Sequence, residues 1–336
     1  MMHETTQSGL LTGPAVLCPF TPRISPHADD VQRWSLHWAT RHGLLERPGA
    51  RAAFARARFA NLMARAHPDA SRADLRLATG WLISIFVLDD LLERALVGDP
   101  ERSRAALVEV VRLLRHQVPP TAILFDALGR PLTGALGEVW GRTEPRVSPA
   151  WRERFVGHVA DYLGGTLWEA GNRVAGRPPV LDEYREMRAH SAATEMFFDL
   201  IEPMHGVELP AAVLADPDFG TMRRSAGMII GIFNDLISWP KEAAIGDHHN
   251  IVFAFQRERR LSLDDAVYAA VAEHDARVAE FEVARKRFVA GPRGQDAAVT
   301  TVVDDLVHWI RGNVDWSLES GRYTRSEVPR RRGPVD

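Results

Sequence analysis

Apolar residues recur every three to four positions along most of the chain, and sustained alternation with a period of two is scarce. This spacing predicts helices, because three to four residues complete one helical turn. The predicted helices cover residues 28–43, 51–66, 72–96, 101–116, 121–138, 148–175, 181–203, 217–242, 251–259, 262–289 and 296–319. No low-complexity linker divides them. We therefore predict an all-α domain at 28–323, between a flexible N-terminal arm at 1–27 and a basic, disordered tail at 324–336.

Two predicted helices contain runs that are apolar on nearly every face. Residues 81–88 read Trp-Leu-Ile-Ser-Ile-Phe-Val-Leu, and residues 227–233 read Gly-Met-Ile-Ile-Gly-Ile-Phe. A helix without a polar face lies in a membrane or inside a ring of other helices. Both runs are much shorter than the roughly 20 residues that cross a bilayer. We therefore expect both inside a helical ring, and each ends abruptly in acidic or amide side chains.

The first run ends in the carboxylates of Asp89, Asp90 and Glu93. Asp-Asp pairs occur four times, but only Asp89 has another carboxylate one helical turn later, at Glu93. Two carboxylates on one helix face repel each other unless a cation lies between them. Mg²⁺ binds one or two carboxylates together with substrate phosphate. Taken alone, this cluster also fits a solvated helix end.

The second run leads into Asn234, Ser238 and Glu242, which are spaced four residues apart and share one helix face. An amide oxygen, a hydroxyl and a carboxylate form a low-charge site that suits Mg²⁺ already carrying phosphate oxygens. Lys241 points about 100° away, towards where a diphosphate would lie. Pro240 tends to kink a helix, so a helix that ends there is the alternative for this cluster.

These clusters resemble the two metal motifs of bacterial class I terpene synthases. Asp89-Asp90-Leu91-Leu92-Glu93 resembles the aspartate-rich motif, and residues 234–242 (Asn-Asp-Leu-Ile-Ser-Trp-Pro-Lys-Glu) resemble the second motif. Arg188 stands at the family's spacing for a diphosphate-sensing arginine, and Arg322-Tyr323 at its spacing for an Arg-Tyr pair. The four motifs occur in the family's order, and the resemblance runs from about residue 26 to residue 323.

The resemblance implies a class I terpenoid synthase barrel of α-helices around a central apolar cavity, with three Mg²⁺ ions on the substrate diphosphate. It implies that Asp89 bridges two of these ions. Asp90 and Glu93 would orient waters and pair with arginines. The third ion would be held by Asn234, Ser238 and Glu242. The hydrogen-bond donors to the diphosphate would be Arg188, Lys241, Arg322 and Tyr323.

The resemblance also implies a linker and an effector position at the break of one helix, shortly after the sensing arginine. Ser191 and Ala192 stand at these positions, where the family frequently has Asp and Gly. This chain therefore departs from a common pattern, and ordinary packing of small residues is the alternative interpretation.

Aromatic side chains are candidates for the cavity wall, because an aromatic face stabilises a nearby cation by about 2 kcal/mol or more when desolvated. Ordinary core packing is the alternative for each of them. The candidates are Trp81, Phe86, Phe198, Phe233, Trp309 and Trp316.

The implied function is the Mg²⁺-dependent ionisation of farnesyl diphosphate and its cyclisation to a sesquiterpene hydrocarbon or alcohol, with release of diphosphate. Geranyl or geranylgeranyl diphosphate is an alternative substrate, and a non-catalytic isoprenoid-binding protein is an alternative function. A chain-elongating prenyltransferase is disfavoured, because the later pairs Asp264-Asp265 and Asp304-Asp305 lack a third acid. A di-iron bundle needs paired Glu-x-x-His motifs, and only residues 202–205 fit this pattern.

Composition excludes further classes. A formal net charge of −3 argues against a general nucleic-acid binder. Cys18 is the single cysteine, so an intramolecular disulfide and a thiolate metal cage are excluded, and a reducing cytoplasm fits. Residues 1–27 lack the order of a secretory signal. We expect a cytoplasmic enzyme with no membrane or nucleic-acid partner; its oligomeric state stays open, although dimers are common in the family.

Overall fold

The computed structural model describes residues 16–94, 99–116 and 128–323. Within these ranges the chain forms helices and no strand, so the predicted all-α class is confirmed. The α-helices are α1 Ala28–Arg41, α2 Ala50–Ala57, α3 Phe59–Ala66, α4 Arg72–Arg94, α5 Pro100–Leu114, α6 Arg130–Thr143, α7 Pro149–Ala175, α8 Leu181–Ser191, α9 Thr194–Asp199, α10 Ile201–His205, α11 Ala211–Leu214, α12 Pro217–Ile245, α13 Ile251–Glu258, α14 Leu263–Ala290 and α15 Ala297–Glu319. Two short 3-10 helices, Glu144–Arg146 and Pro292–Gln295, connect neighbouring helices.

Six helices form a closed ring. Helix α3 packs against α4, α4 against α7, α7 against α8, α8 against α12, α12 against α15, and α15 returns to α3. The two runs that are apolar on nearly every face belong to α4 and α12, both of which are members of this ring. Helix α14 covers the outside of α12 along its length. The expected helical barrel is therefore present, and its centre is enclosed by residues of all six helices.

The long helices begin where a side-chain oxygen satisfies the first free backbone N–H groups. Ser148 accepts from the backbone N–H of Trp151 at the start of α7, and Asp216 accepts from Asp218 at the start of α12. Ser262 does the same for α14. Such caps contribute about 1 kcal/mol each and explain why these starts were predicted within a residue.

The single helix predicted at 51–66 is wrong, because the chain breaks at Arg58, which has a left-handed φ of 51°. The break follows from contacts with the far end of α15. The indole N–H of Trp316 donates to the carbonyl oxygen of Ala57 over 2.8 Å, and Ser320 Oγ donates to the same oxygen over 3.0 Å. These donors replace the helical partners that the carbonyl would otherwise need.

The alternative in which a helix ends at Pro240 is wrong. Helix α12 continues through this proline to Ile245 and stops at Gly246, whose left-handed φ of 76° is typical of a helix C-terminus. The φ of a proline fits a helix, so a helix can continue through it although one backbone hydrogen bond is lost and the ring crowds the carbonyl four residues earlier. The predicted end at 242 was therefore one turn too early.

The helix predicted at 121–138 begins later. Gly129 has a φ of 76°, and α6 starts at Arg130-Pro131, where a proline is favoured because its missing N–H has no helical partner. Residues 121–127 lie outside the described residues.

Part of the predicted N-terminal arm packs against the helices. Phe20 is buried with its ring edge-on to Phe281, and Arg23 pairs with Asp69 over 2.7 Å. Residues 1–15 and the predicted tail at 324–336 lie outside the described residues. In the described ranges, every helix is too short or too polar to cross a membrane.

Candidate active site

The helical ring encloses a cavity whose wall changes from apolar to polar. Along α4 the wall passes from Leu82 and Phe86 to Asp89, and along α12 it passes from Ile230 to Asn234. Both helices therefore present apolar residues to the interior and oxygen donors near their C-terminal ends. The two oxygen clusters that the sequence analysis singled out meet in this one cavity.

Of the side chains of the first cluster that the structure describes, Asp89 lines the cavity. Its carboxylate accepts a long hydrogen bond of 3.5 Å from the hydroxyl of Tyr162 on α7. Asp90 is half-buried and does not line the cavity. Glu93 lies in the last turn of α4, and its side chain is outside the described part of the structure.

The second cluster lines the cavity with all three predicted residues, which offer an amide, a hydroxyl and a carboxylate. Asn234 Nδ2 donates to the hydroxyl oxygen of Tyr323 over 2.7 Å. Ser238 Oγ is buried, and its hydroxyl lies next to the Glu242 carboxylate one turn later on the helix. Glu242 accepts from Asn250 Nδ2 over 2.8 Å, and burial raises the pKa of Glu242 to about 7.

This donor set fits a hard divalent cation. A hydroxyl oxygen buried beside an amide and a carboxylate has lone pairs that a bound ion can share. Ser238 lies one helical turn from Asn234 and one turn from Glu242, so the three oxygens share a face of α12. All donors are oxygen atoms, which is the set that Mg²⁺ and Ca²⁺ prefer.

Arg188 projects from the last turn of α8 onto this face. Its Nη2 donates to Asn234 Oδ1 over 3.1 Å and to the carbonyl of Gly231 over 3.3 Å, and it pairs with Asp235 Oδ1 over 3.0 Å. Burial would lower the pKa of Arg188, but the Asp235 carboxylate raises it above its usual value. The guanidinium is therefore held charged beside the oxygen cluster.

Asp235 is a site residue whose role sequence reasoning missed. Its carboxylate is buried and accepts from the hydroxyl of Tyr184 and, over 3.1 Å, from the backbone N–H of Ile251. Its other oxygen faces Arg188. The helical repeat places this acid about 100° around the helix from Asn234, but only the packing of α8 against α12 shows that this side faces Arg188.

The helix break after Arg188 lies in the cavity wall. Ser191 ends α8, Ala193 has a left-handed φ of 58°, and α9 begins at Thr194. The two predicted linker and effector residues, Ser191 and Ala192, both line the cavity. The helix predicted without interruption at 181–203 is therefore divided where the resemblance to terpene synthases implied a break.

The remaining predicted donors converge on the same polar end. Arg322, Tyr323 and Lys241 all line the cavity, and Lys241 is exposed at its rim. The guanidinium of Arg322 lies 4.4 Å from the ring centre of Phe86, a cation–π distance. Tyr323 packs edge-on against Trp316 at 5.9 Å.

Three of the six predicted aromatic side chains line the cavity. Phe86, Trp309 and Trp316 line the cavity, whereas Trp81 and Phe198 do not. Trp81 lies five positions before Phe86, which turns it about 140° away on the helix. It packs instead in an aromatic cluster with Trp140 and Phe155, and its indole N–H donates to Thr143.

Phe198 and Phe233 also lie away from the cavity, because of how their helices are rotated. Phe198 points towards the guanidinium of Arg223 at 5.8 Å, and its neighbour Phe197 lines the cavity. Phe233 faces His274 on α14, with ring centres 6.2 Å apart. One residue along a helix turns a side chain by about 100°, so adjacent aromatics face different surroundings.

A second charged group in the wall was also missed. Arg173 on α7 donates to Asp247 over 2.9 Å and to Glu169 over 3.4 Å. His249 lies beside them with its ring edge-on to Trp168 at 4.6 Å, and burial lowers the pKa of His249. These residues come from α7 and from the loop after α12, so no local spacing in the sequence links them.

The chain is similar to known proteins over nearly its whole length. The family described as "Terpene synthase family 2, C-terminal metal binding" matches residues 80–280, which include both oxygen clusters. The (+)-T-muurolol synthase of Roseiflexus castenholzii is 35% identical over 91% of this chain and 92% of that protein. The pristinol synthase of Streptomyces pristinaespiralis is 30% identical over 98% of this chain and 92% of that protein.

A solved structure shows the same arrangement of helices. The germacradien-4-ol synthase of Streptomyces citricolor has a TM-score of 0.79 and 26% identity, covering 90% of this chain and 97% of that one. The match to a metal-binding family means that the chain uses a divalent metal. This protein belongs to the terpene synthase family and is a class I terpene synthase.

Proposed function

We propose that this enzyme ionises farnesyl diphosphate with Mg²⁺ and closes the resulting carbocation into a cyclic sesquiterpene hydrocarbon or alcohol, releasing diphosphate. The observation that carries this proposal is the division of one cavity into an oxygen-rich cationic end and an aromatic end. The relative from Roseiflexus castenholzii is named for cyclising farnesyl diphosphate, which supports the choice of substrate length.

In this proposal Asp89 on α4 and the Asn234, Ser238 and Glu242 set on α12 hold three Mg²⁺ ions between them and the substrate. When bound, Mg²⁺ neutralises the diphosphate and makes it a better leaving group. Around the ions, hydrogen bonds to the diphosphate oxygens come from Arg188, Lys241, Arg322 and Tyr323. Donors that carry a charge make shorter and stronger bonds of this kind.

Arg188 has a specific role in this arrangement. In the described structure it donates to Asn234 Oδ1, which is the oxygen proposed to bind an ion. An ion held by Asn234 Oδ1 would occupy the atom that Arg188 now contacts, so Arg188 would be available to donate to the diphosphate. The ion pair with Asp235 would keep the guanidinium in position.

The apolar end of the cavity shelters the carbocation. Phe197 and Trp309 line this space, and Phe86 and Trp316 lie where it meets the polar end, beside Arg322 and Tyr323. Aromatic faces stabilise a nearby carbocation. Exclusion of water from this end of the cavity also prevents water from reacting with the carbocation before the ring closes. The enzyme would act in the cytoplasm on a small-molecule substrate. It would form a homodimer, which size-exclusion chromatography tests directly.

The test is an incubation of purified enzyme with Mg²⁺ and, in parallel, geranyl, farnesyl and geranylgeranyl diphosphate, followed by gas chromatography–mass spectrometry. We expect a cyclic sesquiterpene from the farnesyl substrate. Asp89→Asn and Asn234→Leu should abolish the product, whereas Asp264→Asn, in an exposed Asp-Asp pair outside the cavity, should not. Turnover of none of the three substrates contradicts the proposal and favours a non-catalytic isoprenoid-binding protein.

A further inference from the structure

Three imidazoles surround one buried carboxylate away from the active site. Asp305 lies on α15, and its Oδ2 is 2.7 Å from His67 Nδ1 and 2.8 Å from His205 Nε2. Its Oδ1 is 3.1 Å from Nδ1 of His308, one turn later on the same helix. His67 follows the end of α3 and His205 ends α10, so three separate parts of the chain converge on one side chain.

This cluster is built into the protein and remains accessible. The side chain of Asp305 is 3% exposed and that of His67 is 1% exposed, whereas that of His205 is 13% exposed. The edge of the cluster therefore reaches the protein surface at His205.

We propose that His67, His205 and Asp305 form a binding site for a divalent transition-metal ion such as Zn²⁺, with His308 supporting Asp305 through its second oxygen. Two imidazoles and a carboxylate are a common ligand set for zinc, with a water in the fourth position. Imidazole nitrogen suits Zn²⁺, Cu²⁺ and Ni²⁺, whereas Mg²⁺ prefers oxygen. The site is therefore chemically distinct from the oxygen cluster of α12.

The distances suit this ion after a small adjustment. The candidate ligand atoms of His67, His205 and Asp305 all lie within 4.8 Å of one another. Tetrahedral zinc with bonds of about 2.1 Å places its ligand atoms roughly 3.4 Å apart. His67 Nδ1 and His205 Nε2 now lie 2.7 and 2.8 Å from Asp305 Oδ2. Each nitrogen would move away from this oxygen by less than 1 Å as the ion replaces the protons of these two hydrogen bonds.

The surroundings also favour a cation. The Asp305 carboxylate supplies a negative charge between the two imidazoles. The ring of His67 packs edge-on against Trp309 at 5.7 Å, and Trp309 lines the cavity. An ion here would tie α3, α10 and α15 together behind the cavity wall.

The test measures Zn²⁺ binding to the full chain after treatment with a chelator and gel filtration. Millimolar Mg²⁺ is kept present without diphosphate, so that it competes for the oxygen cluster. We expect one tightly bound Zn²⁺ per chain by equilibrium dialysis, a rise in thermal midpoint with Zn²⁺, and a tetrahedral absorption spectrum when Co²⁺ is used instead. None of these readouts depends on turnover.

Variants decide where the ion binds. His205→Gln should weaken Zn²⁺ binding by more than 100-fold, and His308→Gln by about 10–100-fold, the usual effect of losing a group that supports a ligand. His37→Gln, a matched change of an exposed histidine on α1, should leave binding unchanged. If the variant Asp305→Asn does not fold, His205→Gln still tests the site, because the side chain of His205 is partly exposed. Equal Zn²⁺ affinity in the unaltered enzyme and His205→Gln, or no bound Zn²⁺ in the unaltered enzyme, would overturn the proposal.

Discussion

Replacement of Gly165 by alanine should force α7 and α8 apart next to the active site. A Cβ at this position would lie 2.7 Å from the backbone nitrogen of Ser191 and 3.0 Å from its Cα. Cβ atoms do not come so close to backbone, and no side-chain rotation relieves a clash with backbone atoms. Ser191 ends α8, so the end of the helix that presents Arg188 must move.

The adjacent Gly164 provides a matched control. It belongs to the same helix and is exposed, and a Cβ there would meet nothing within 4 Å. Alanine in a helix is more stable than glycine by about 0.5–1 kcal/mol, and both substitutions receive this gain. Forcing an extra carbon into packed structure costs about 1–3 kcal/mol, and only Gly165→Ala incurs it.

Urea denaturation followed by circular dichroism measures both effects. Gly164→Ala should raise the free energy of unfolding by about 0.5–1 kcal/mol, and Gly165→Ala should be about 1–3 kcal/mol less stable than Gly164→Ala. Product formation should fall only in Gly165→Ala, because the clash displaces the helix end that carries Arg188. Equal stability and equal turnover in the two variants would show that the close contact between α7 and α8 has no such role.

Three further changes test other groups; two of them concern the site, and the third concerns the pair of His158 on α7 and Asp199 on α9, neither of which lines the cavity. Asp235→Asn removes the charged partner of Arg188. Hydrogen bonds to charged groups contribute about 1.5–3 kcal/mol, so the free energy of unfolding should fall by about 2 kcal/mol. An unchanged urea midpoint would contradict this expectation. Burial would lower the pKa of His158, but its hydrogen bond with Asp199 raises this pKa. The bond between the two side chains therefore stabilises the folded protein fully below about pH 6.5, and this stabilisation is lost as the pH rises through the raised pKa. Urea titrations should show His158→Gln losing more stability at pH 6 than at pH 9, and an equal loss at both would refute the assignment. Phe197→Leu should change the ratio of terpene products with turnover retained, and an identical chromatogram would show that this ring does not contact the carbocation.

The periodic recurrence of apolar residues and the spacing of polar residues within single helices determined a large part of the fold and of the candidate site. Helix α14 was predicted at 262–289 and runs from Leu263 to Ala290, because its cap and its apolar stripe are both local features. The oxygen cluster of α12 was visible for the same reason. Its three donors lie one turn apart in one helix, so the helical repeat alone places them on one face.

Only the tertiary structure decided which faces of the helices meet. The break at Arg58 depends on donors from α15, far away in the sequence, and the choice of Phe197 over Phe198 for the cavity depends on how α9 is rotated against its neighbours. Asp235 could be placed on its helix but not paired with Arg188. The convergence of three histidines on Asp305 had no signal in the sequence, because its members come from three elements that only packing brings together.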